Sequence, residues 1–266
     1  SAGDFGGTVA AIAALVGEAE DRLGARASVG IAIPGCETAD GTIKNANSTW
    51  LNGRHLRADL QAALGRDVRL ANDANCFVLS EARDGAGAGA RVVFGVIAGT
   101  GVGGAIAIDG QVLGGAHGVS GEWGHIPLPW PTTEEIHYAP PCYCGKRGCI
   151  ETWCSGTGLA ADYYRITGAN VPAHAIAASS SSAEQAAMDR LVDRLARGLA
   201  VVANIVDPDV IVLGGGLSNV ERLYRDLGPL IEQYAFTLGA PPKIVKNKHG
   251  DSSGVRGAAW LWPESL

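Results

Sequence analysis

The amino-acid sequence predicts an α/β protein. Of its 266 residues, 47% are hydrophobic, which is enough for a sizeable core. It also contains 38 glycines, an abundance that suggests turns and ligand-binding loops between strands and helices. Short apolar runs that end in polar or glycine-rich segments alternate with longer stretches of helical periodicity. This length allows one large domain or two ordinary ones.

Hydrophobic residues that recur every three or four positions predict the helices. These are residues 8–23, 56–64, 75–83, 157–166, 184–206 and 254–262. Short apolar or β-branched runs predict the strands, which are residues 28–33, 68–70, 92–97, 105–108, 210–213 and 242–245. Gly24 ends the first helix, and Asp207-Pro208 ends the longest one. Asp109-Gly110 predicts a tight hairpin turn.

Charge and hydropathy exclude two classes of partner. The net charge is −6, so bulk electrostatics gives no support for a nucleic-acid partner. No apolar run approaches the length of a membrane span, and no signal peptide opens the chain. We therefore expect neither nucleic acid nor membrane as a partner, and a reducing, cytoplasmic location.

Three cysteines lie close together near the middle of the chain. Cys142, Cys144 and Cys149 fall within eight positions that also contain two glycines, and His125 lies upstream across a short loop. Three thiolates and one imidazole match the ligand set of a closed structural zinc site. The alternative is a set of free thiols beside an unrelated histidine.

Three carboxylates stand at positions suited to chemistry. Glu122 and Glu151 flank the cysteine cluster, which would hold them in a rigid polar pocket. Asp73 follows the strand at 68–70 and precedes a helix, the place where open α/β sheets put catalytic groups. Asn72 or Asp73 could instead simply cap that helix. Position does not decide between these two roles.

Two glycine-rich segments are candidate nucleotide-binding loops. Residues 98–104 join two strands, so they fit neither a Rossmann nor a P-loop motif, both of which need a following helix. Their backbone amides could form an anion-binding nest, although glycines in a hairpin are often only turn residues. Residues 214–216 lie between a strand and a helix, an arrangement that cradles a nucleotide, and the alternative is a plain sharp turn.

Taken together, these motifs resemble those of the ROK family (repressors, open reading frames, kinases) of bacterial sugar kinases, over nearly the whole chain. In order, they are Asn-Asp-Ala-Asn at 72–75, Gly-Thr-Gly-Val-Gly-Gly at 99–104, Gly-Glu-Trp-Gly-His at 121–125, Cys-Tyr-Cys-Gly-Lys-Arg-Gly-Cys-Ile-Glu at 142–151 and Asp-Pro-Asp-Val-Ile-Val-Leu-Gly-Gly-Gly at 207–216. Within the family, residues 44–53, 127–130 and 249–260 look most like the fructokinases, also called manno(fructo)kinases.

The resemblance implies an actin-like (ribonuclease H-like) ATPase fold, with two domains and an active-site cleft. Residues 1–88 and 251–266 would form the small domain, and residues 89–250 the large domain with the zinc loop. The partners it implies are a small-molecule hexose, ATP with Mg²⁺, and a second copy of the chain in a homodimer. A structural Zn²⁺ would be bound by the family's ligand positions, His125, Cys142, Cys144 and Cys149.

The resemblance also assigns roles within the cleft. Asp73 takes the position of the catalytic base, which would accept the proton of the 6-hydroxyl of fructose, with mannose as a secondary substrate. Thr100 and Gly101 match the phosphate hairpin, and Gly215 and Gly216 match the adenosine-side turn. The positions that match the sugar-binding residues are Asn47, Asn72, Glu122, His125 and Glu151.

Other functions remain open at this point. The pocket residues are shared by kinases for glucose and for N-acetylglucosamine, so these are alternatives to a fructokinase. A non-catalytic ROK sugar-binding protein or repressor is another. A repressor would need a helix-turn-helix module, and none is visible. A sugar sensor also has no need of the base at Asp73, which favours an enzyme.

The beginning of the chain departs from the family pattern. Residues 4–8 read Asp-Phe-Gly-Gly-Thr, which resembles the family's phosphate-binding motif, but helical periodicity follows Thr8 where the family has a second strand. We therefore expect a surface helix N-terminus at 4–8, and a small-domain sheet that lacks the family's first hairpin and has an unpaired edge. A chain without that hairpin should bind ATP poorly.

Overall fold

The computed structural model describes residues 3–236 and 239–262. The α-helices of these residues are α1 (Phe5–Leu23), α2 (Leu56–Leu64), α3 (Asp73–Arg83), α4 (Thr133–Tyr138), α5 (Ile150–Cys154), α6 (Gly156–Thr167), α7 (Ala173–Ala178), α8 (Ser182–Val206), α9 (Glu221–Tyr234) and α10 (Ser253–Ala259). The strands are β1 (Val29–Ile33), β2 (Cys36–Glu37), β3 (Ile43–Lys44), β4 (Val68–Asn72), β5 (Val92–Ala98), β6 (Val102–Ile108), β7 (Gln111–Val112), β8 (Val210–Gly214) and β9 (Lys243–Lys246).

A mixed five-stranded sheet has the strand order β7-β6-β5-β8-β9. Strand β5 pairs antiparallel with β6 and parallel with β8, and β8 pairs parallel with β9. Because β5 and β8 are parallel neighbours, their carboxyl ends meet at one edge, where Ile97 lies opposite Gly214. Both predicted nucleotide loops begin at this edge.

Side chains of the five-stranded sheet alternate between two cores. On one face, Phe94 and Ile211 belong to a large core formed with α5, α6, α8 and α9. On the other face, Val93 and Val212 pack against Phe77 and other residues of α3. This alternation follows the two-residue period of a strand. The sheet is therefore a layer between helices, and α3 lies directly against it.

A second, two-stranded parallel sheet ends directly before the proposed base, Asp73. Strand β1 pairs with β4, with Ile33 opposite Asn72, while β2 and β3 form a separate small antiparallel pair. Within the residues that the structure describes, β1 has no strand partner other than β4, which matches the expected short sheet with an open edge. Helix α10 packs closely here, since a side chain at Gly30 would collide with the Ala258 carbonyl.

Helix α1 begins where the phosphate-like motif stands. The carboxylate of Asp4 caps it and accepts hydrogen bonds from the amides of Gly6 and Gly7 at 3.2 and 2.8 Å. Asp4 is exposed, and Gly24 in the left-handed conformation ends the helix. The expectation of a surface helix N-terminus at residues 4–8 is confirmed, because Asp4 uses its carboxylate as an N-cap.

Several predicted boundaries were wrong. Helix α3 begins at Asp73 instead of residue 75, because Asn72 supplies the cap, and β6 begins at Val102 instead of 105 because Ala98 pairs with Val102. The short helices α4, α5 and α7 were not predicted, and α10 ends at Ala259 instead of 262. None of the described helices is both long and apolar enough to cross a membrane.

Candidate active site

The proposed base and its neighbour have separate roles at the start of α3. The Oδ1 atom of Asn72 accepts hydrogen bonds from the amides of Ala74 and Asn75 at 2.9 and 3.4 Å, so Asn72 is the helix cap. The Oδ1 atom of Asp73 shares the Ala74 amide at 2.8 Å, and its second oxygen has no role in the cap. Asn72 is therefore the residue that caps α3, and the catalytic role of Asp73 stays a prediction.

Asp73 is exposed and can meet a ligand, although the protein around it removes part of the hydration of its carboxylate. Burial by the surrounding protein raises the pKa of this carboxyl, and the hydrogen bond from the Ala74 amide opposes the rise only in part. A carboxylate with a raised pKa is a better proton acceptor than an ordinary surface aspartate. This position can therefore support general-base chemistry.

Glu122 brings three carboxylates and the histidine into one place. Burial raises the pKa of Glu122, His125 opposes that rise, and the negative charges of Asp73 and Glu151 add to it. The Oε2 atom of Glu122 is 4.0 Å from Nε2 of His125. The charges of Asp73 and Glu151 act on Glu122 because both residues lie near it. The structure thus groups four of the predicted site residues.

Glu151 joins the cysteine cluster to the β5–β6 hairpin. Its Oε2 atom accepts a hydrogen bond from the amide of Val102 at 3.1 Å, and its Oε1 atom is 3.7 Å from Sγ of Cys142. A side chain at Gly101 would collide with the same carboxylate. Residue 101 must therefore be glycine for the hairpin and the acid to meet.

The two predicted nucleotide loops lie side by side. The amide of Gly99 donates to the Gly101 carbonyl at 2.9 Å, which closes a short turn between β5 and β6. A Cβ placed on Gly99 would be 3.9 Å from the amide nitrogen of Gly216. Gly215 has φ +76°, and a Cβ there would be 2.6 Å from the Ala98 carbonyl oxygen, so only glycine fits. The two loops are therefore in close contact.

The predicted metal ligands form one cluster. One ligand atom from each of His125, Cys142, Cys144 and Cys149 lies within 4.8 Å of the others. The Sγ atoms of Cys144 and Cys149 are 3.6 Å apart, and Sγ of Cys142 is 3.5 Å from Nδ1 of His125. In a tetrahedral site with Zn–S bonds of about 2.3 Å, two sulfurs are roughly 3.7 Å apart. The residues therefore fit a structural zinc ion.

The three cysteines lie on a tight turn. The two ring nitrogens of His125 have different neighbours. The amide of Cys142 donates to the Lys146 carbonyl at 2.9 Å, and Gly145, with φ +86°, supplies the left-handed conformation that the turn needs. While Nδ1 of His125 faces the thiols, its Nε2 lies 2.9 Å from the hydroxyl of Tyr143. The second ring nitrogen thus contacts the Tyr143 hydroxyl, and the Oε2 atom of Glu122 lies 4.0 Å from it.

The two asparagines are less clearly placed for a sugar. The Nδ2 atom of Asn72 donates to the Gly35 carbonyl at 2.9 Å, so this amide ties β4 to the loop after β1. A Cβ on Gly35 would be 2.7 Å from the Ala46 amide, which brings the loop before Asn47 against the same point. Asn47 is exposed and accepts a 3.5 Å hydrogen bond from Ser48. Their sugar contacts stay predictions.

Two residues of the site were missed in the sequence. The ring of Tyr143 lies edge-on to the His125 ring, with centroids 5.0 Å apart. The hydroxyl of Thr157 donates to the Thr100 carbonyl at 2.6 Å and supports the hairpin. Tyr143 stands between two predicted ligands, which is a signal that was available. Thr157 is 57 positions from its partner, and no local pattern marks it.

Sequence comparison places this chain beside known proteins. A model of the ROK family matches residues 6–265. An N-acetyl-D-glucosamine kinase of Photobacterium profundum is 42% identical over 265 residues, which are 97% of this chain and 88% of that protein. Another, from Salmonella gallinarum, is 42% identical over 258 residues, which are 94% of this chain and 85% of that protein.

Solved structures agree with these relatives. A ROK hexokinase from Thermus thermophilus superposes with a TM-score of 0.83 at 29% identity, over 94% of this chain and 84% of that one. A ROK family glucokinase from Streptomyces griseus, in complex with glucose and AMPPNP, has a TM-score of 0.77 at 26% identity, over 96% and 87%. The predicted actin-like ATPase fold is confirmed. The preference for fructose finds no support, because these curated relatives are N-acetyl-D-glucosamine kinases.

Proposed function

This chain belongs to the ROK family of sugar kinases, and from that premise we propose that it transfers the γ-phosphoryl group of ATP to the 6-hydroxyl of N-acetyl-D-glucosamine. The choice of sugar rests on 42% identity to N-acetyl-D-glucosamine kinases over nearly the whole chain. The observation that carries the reaction is Asp73, a carboxylate with a raised pKa that directly follows a strand and stands beside Asn72, the residue that caps α3.

Asp73 would accept the proton of the attacking hydroxyl. Phosphoryl transfer asks little covalent chemistry of the protein, so the base and the positions of the two substrates carry the reaction. The raised pKa of Asp73 brings its basicity closer to that needed near neutral pH. Below that pKa the carboxyl would be protonated and the base lost, so turnover should fall on the acidic side.

The sugar would bind among the residues that surround Glu122. Carboxylates at Glu122 and Glu151 can each accept hydrogen bonds from sugar hydroxyls, and Nε2 of His125 can donate one. Glu151 also accepts from the Val102 amide, so the acid that faces the sugar is held against the hairpin. This contact would set the sugar at a fixed place relative to the phosphate loop.

ATP would bind at the meeting point of the two glycine-rich loops. The hairpin at Thr100 and Gly101 and the turn at Gly215 and Gly216 are adjacent and have little side-chain bulk, so phosphate oxygens can approach their amides. Magnesium would arrive with the nucleotide and neutralise phosphate charge, since Mg²⁺ sites rely on substrate phosphates.

Zinc would act as a structural ion. The cluster of His125, Cys142, Cys144 and Cys149 supplies four protein ligands, which is the complete set of a structural site. Glu151 lies two residues after Cys149, and His125 is itself a ligand. A metal bound there would fix the orientation of both groups toward the sugar.

The test is a panel of sugars in a coupled assay of ATP consumption. N-acetyl-D-glucosamine should have the highest kcat/KM, with fructose, mannose and glucose each lower by about tenfold or more, since one matched or missing polar group is worth at least that much. Faster turnover of fructose would contradict the proposed sugar and restore the prediction of a fructokinase. If the protein bound a sugar but phosphorylated none, it would be a non-catalytic binding protein.

Three further properties remain proposals. The resemblance implies a homodimer and a cytoplasmic location, and light scattering of the purified protein checks the first. The two proposed domains, residues 1–88 with 251–266 and residues 89–250, place their boundaries in the connections before β5 and after β9. Limited proteolysis with and without sugar and nucleotide would map these boundaries.

A further inference from the structure

A buried carboxylate lies on α3, about two turns beyond the proposed base. Glu81 is 0% exposed and is 8 positions after Asp73, which is about 12 Å along a helix that rises 1.5 Å per residue. Burying a carboxylate costs several kcal/mol unless its oxygens receive hydrogen bonds. Neither the sequence motifs nor the proposed reaction accounts for this residue.

The hydrogen-bond donors to Glu81 are three backbone amides and one hydroxyl. Its Oε2 atom accepts from the amides of Ala86 at 2.8 Å and Lys248 at 3.0 Å. Its Oε1 atom accepts from the hydroxyl of Ser253 at 2.8 Å and from the amide of His249 at 3.4 Å. Both oxygens therefore bind backbone or hydroxyl groups that belong to other segments of the chain.

These donors lie at the two places where the chain passes between sheets. Residues 84–91 connect α3 to β5, and residues 247–252 connect β9 to α10. Helices α3 and α10 pack so closely that a side chain at Gly257 would collide with the Cys76 carbonyl, whereas β5 and β9 belong to the five-stranded sheet. One carboxylate in the last turn of α3 thus accepts hydrogen bonds from both connections and from Ser253, the first residue of α10.

Further contacts hold the two connections close to Glu81. A side chain at Gly85 would collide with the Glu81 carboxylate, so the first connection passes directly over it. Asp84, which follows α3, accepts from Nε2 of His249 at 3.0 Å and also contacts Arg256. Asp84, the residue directly after α3, therefore contacts both the second connection and α10.

We propose that Glu81 is a positioning residue for phosphoryl transfer. By anchoring both connections, it holds the helix that begins at Asp73 in a fixed place relative to the sheet whose hairpin contains Thr100 and Gly101. This inference rests on the proposed kinase function. A misplacement of about 1 Å between reacting groups can cost about 10²-fold in rate, so a loosened anchor should lower turnover although Glu81 touches neither substrate.

The test replaces Glu81 by Gln, which keeps the size and one acceptor oxygen but puts an NH₂ group against amide donors. In Glu81→Gln, kcat should fall about 10–100-fold, while KM for sugar and for ATP should stay within about threefold of the wild-type values. Hydrogen exchange at the amides of Ala86, Lys248 and His249 should become faster. The matched control is Glu18→Gln, on the exposed face of α1, which should leave all of these values unchanged.

The outcomes separate a positioning role from a merely structural one. A folded Glu81→Gln protein with kcat within twofold of the wild-type value would overturn the inference, even if its melting temperature were lower. Should Glu81→Gln fail to fold, Ser253→Ala removes a single donor: kcat about threefold lower or more at unchanged KM supports the inference, and unchanged kcat overturns it. A wild-type protein that phosphorylates no hexose would overturn the proposed function itself.

Discussion

Two groups of carboxylates in this protein have pKa values shifted in opposite directions. Glu135 on α4 and Asp162 on α6 are buried, which would raise their pKa values, but arginine partners lower both to about 2. Asp73 and Glu122 lie in the proposed cleft, where burial raises their pKa values and no arginine is among the causes of the shifts. The first group is paired with cations, and the second faces space for a ligand.

The paired group joins three helices. Nε of Arg194 on α8 donates to Glu135 on α4 at 2.7 Å, and its Nη1 is 3.1 Å from Asp162 on α6. Arg197 donates to Glu135 and also to the carbonyls of Pro129 and Trp130, which follow the zinc histidine. This network therefore fixes the segment that follows His125 against α8.

This difference separates carboxylates that stabilise the fold from carboxylates that are suited to a chemical role. A buried acid that is fully paired favours its ionised form, and it cannot exchange protons near neutral pH. An acid that is desolvated without a cation is held in an unfavourable state, which is typical of groups with a chemical role. Substitutions in the two groups should therefore separate loss of activity from loss of stability.

The largest expected effect is on turnover, at Asp73. In Asp73→Asn, kcat should fall by about 10²–10⁴-fold, because the amide cannot accept the hydroxyl proton, while sugar binding persists. Steady-state kinetics and sugar titration measure the two quantities. Asp59→Asn, an exposed change on α2, is the control and should be silent. Normal turnover of Asp73→Asn would remove Asp73 from the reaction.

The second effect is on stability, at Arg194. Arg194→Met removes the partner that Glu135 and Asp162 share, while Arg197, Arg165 and Arg190 stay beside them, so the free energy of unfolding should fall by about 1–3 kcal/mol. The exposed pair of Arg22 and Glu18 provides the control, because Arg22→Met should cost less than about 1 kcal/mol. Urea denaturation measures both changes.

The contribution of Glu135 and Asp162 to stability depends on pH. Because the pKa values of Glu135 and Asp162 are lowered from 4.5 and 3.8 to about 2, their contribution to stability is present above those unfolded-state values. It is lost as the pH falls through about 2. In Arg194→Met this contribution should be smaller but still present, because Arg197 also lowers the pKa of Glu135, and Arg165 and Arg190 also lower that of Asp162. A variant with unchanged stability and a large loss of kcat would reverse the roles assigned to the two groups.

A third, smaller effect tests the metal. Cys144 is exposed, so Cys144→Ser should disturb the fold mainly through loss of one zinc ligand. We expect less than one zinc per chain by elemental analysis, a lower melting temperature, and a KM for the sugar raised about tenfold, because His125 and Glu151 lose their support. Wild-type protein that contains no stoichiometric metal would exclude the zinc site.

What could be predicted from the sequence follows from how local each feature is. The zinc ligands Cys142, Cys144 and Cys149 lie in one tight turn, so their spacing already implies a cluster. The helix cap could not be assigned to Asn72 or Asp73, because either side chain can reach nearby amides, and only coordinates show that Asn72 accepts from two amides and Asp73 from one. Sheet order was not available from any local pattern.

Hydrophobic periodicity cannot predict ion pairs between residues that are far apart in the sequence. Glu135 and Arg194 are 59 positions apart, and the helical pattern of residues 184–206 showed only its apolar face. Glu81 is hidden for the same reason, since its partners at Lys248 and Ser253 come 167 and 172 positions later. The sugar could not be chosen either, because the pocket motifs are common to kinases of several specificities, and only identity over the whole chain distinguishes them.

The smallest effect is on the stability of Asp73→Asn, and its sign is opposite to that of Arg194→Met. Burial raises the pKa of Asp73, so ionised Asp73 destabilises the folded state, although the N-terminus of α3 favours a negative charge. A group with a raised pKa contributes stability below its unfolded-state value of 3.8 and loses it as the pH rises through the folded-state value. At pH 7 the Asn variant should therefore melt at a higher temperature than the wild type.

The pH dependence makes this last expectation specific. The melting temperatures of Asp73→Asn and the wild type should converge as the pH falls toward 3.8, because both side chains are then neutral. Asp59 is exposed, so the melting temperature of Asp59→Asn should not start above that of the wild type at pH 7 and approach it as the pH falls. If Asp73→Asn were less stable than the wild type at pH 7, the carboxylate would be stabilised in the fold, and the contrast with Glu135 and Asp162 would fail at Asp73.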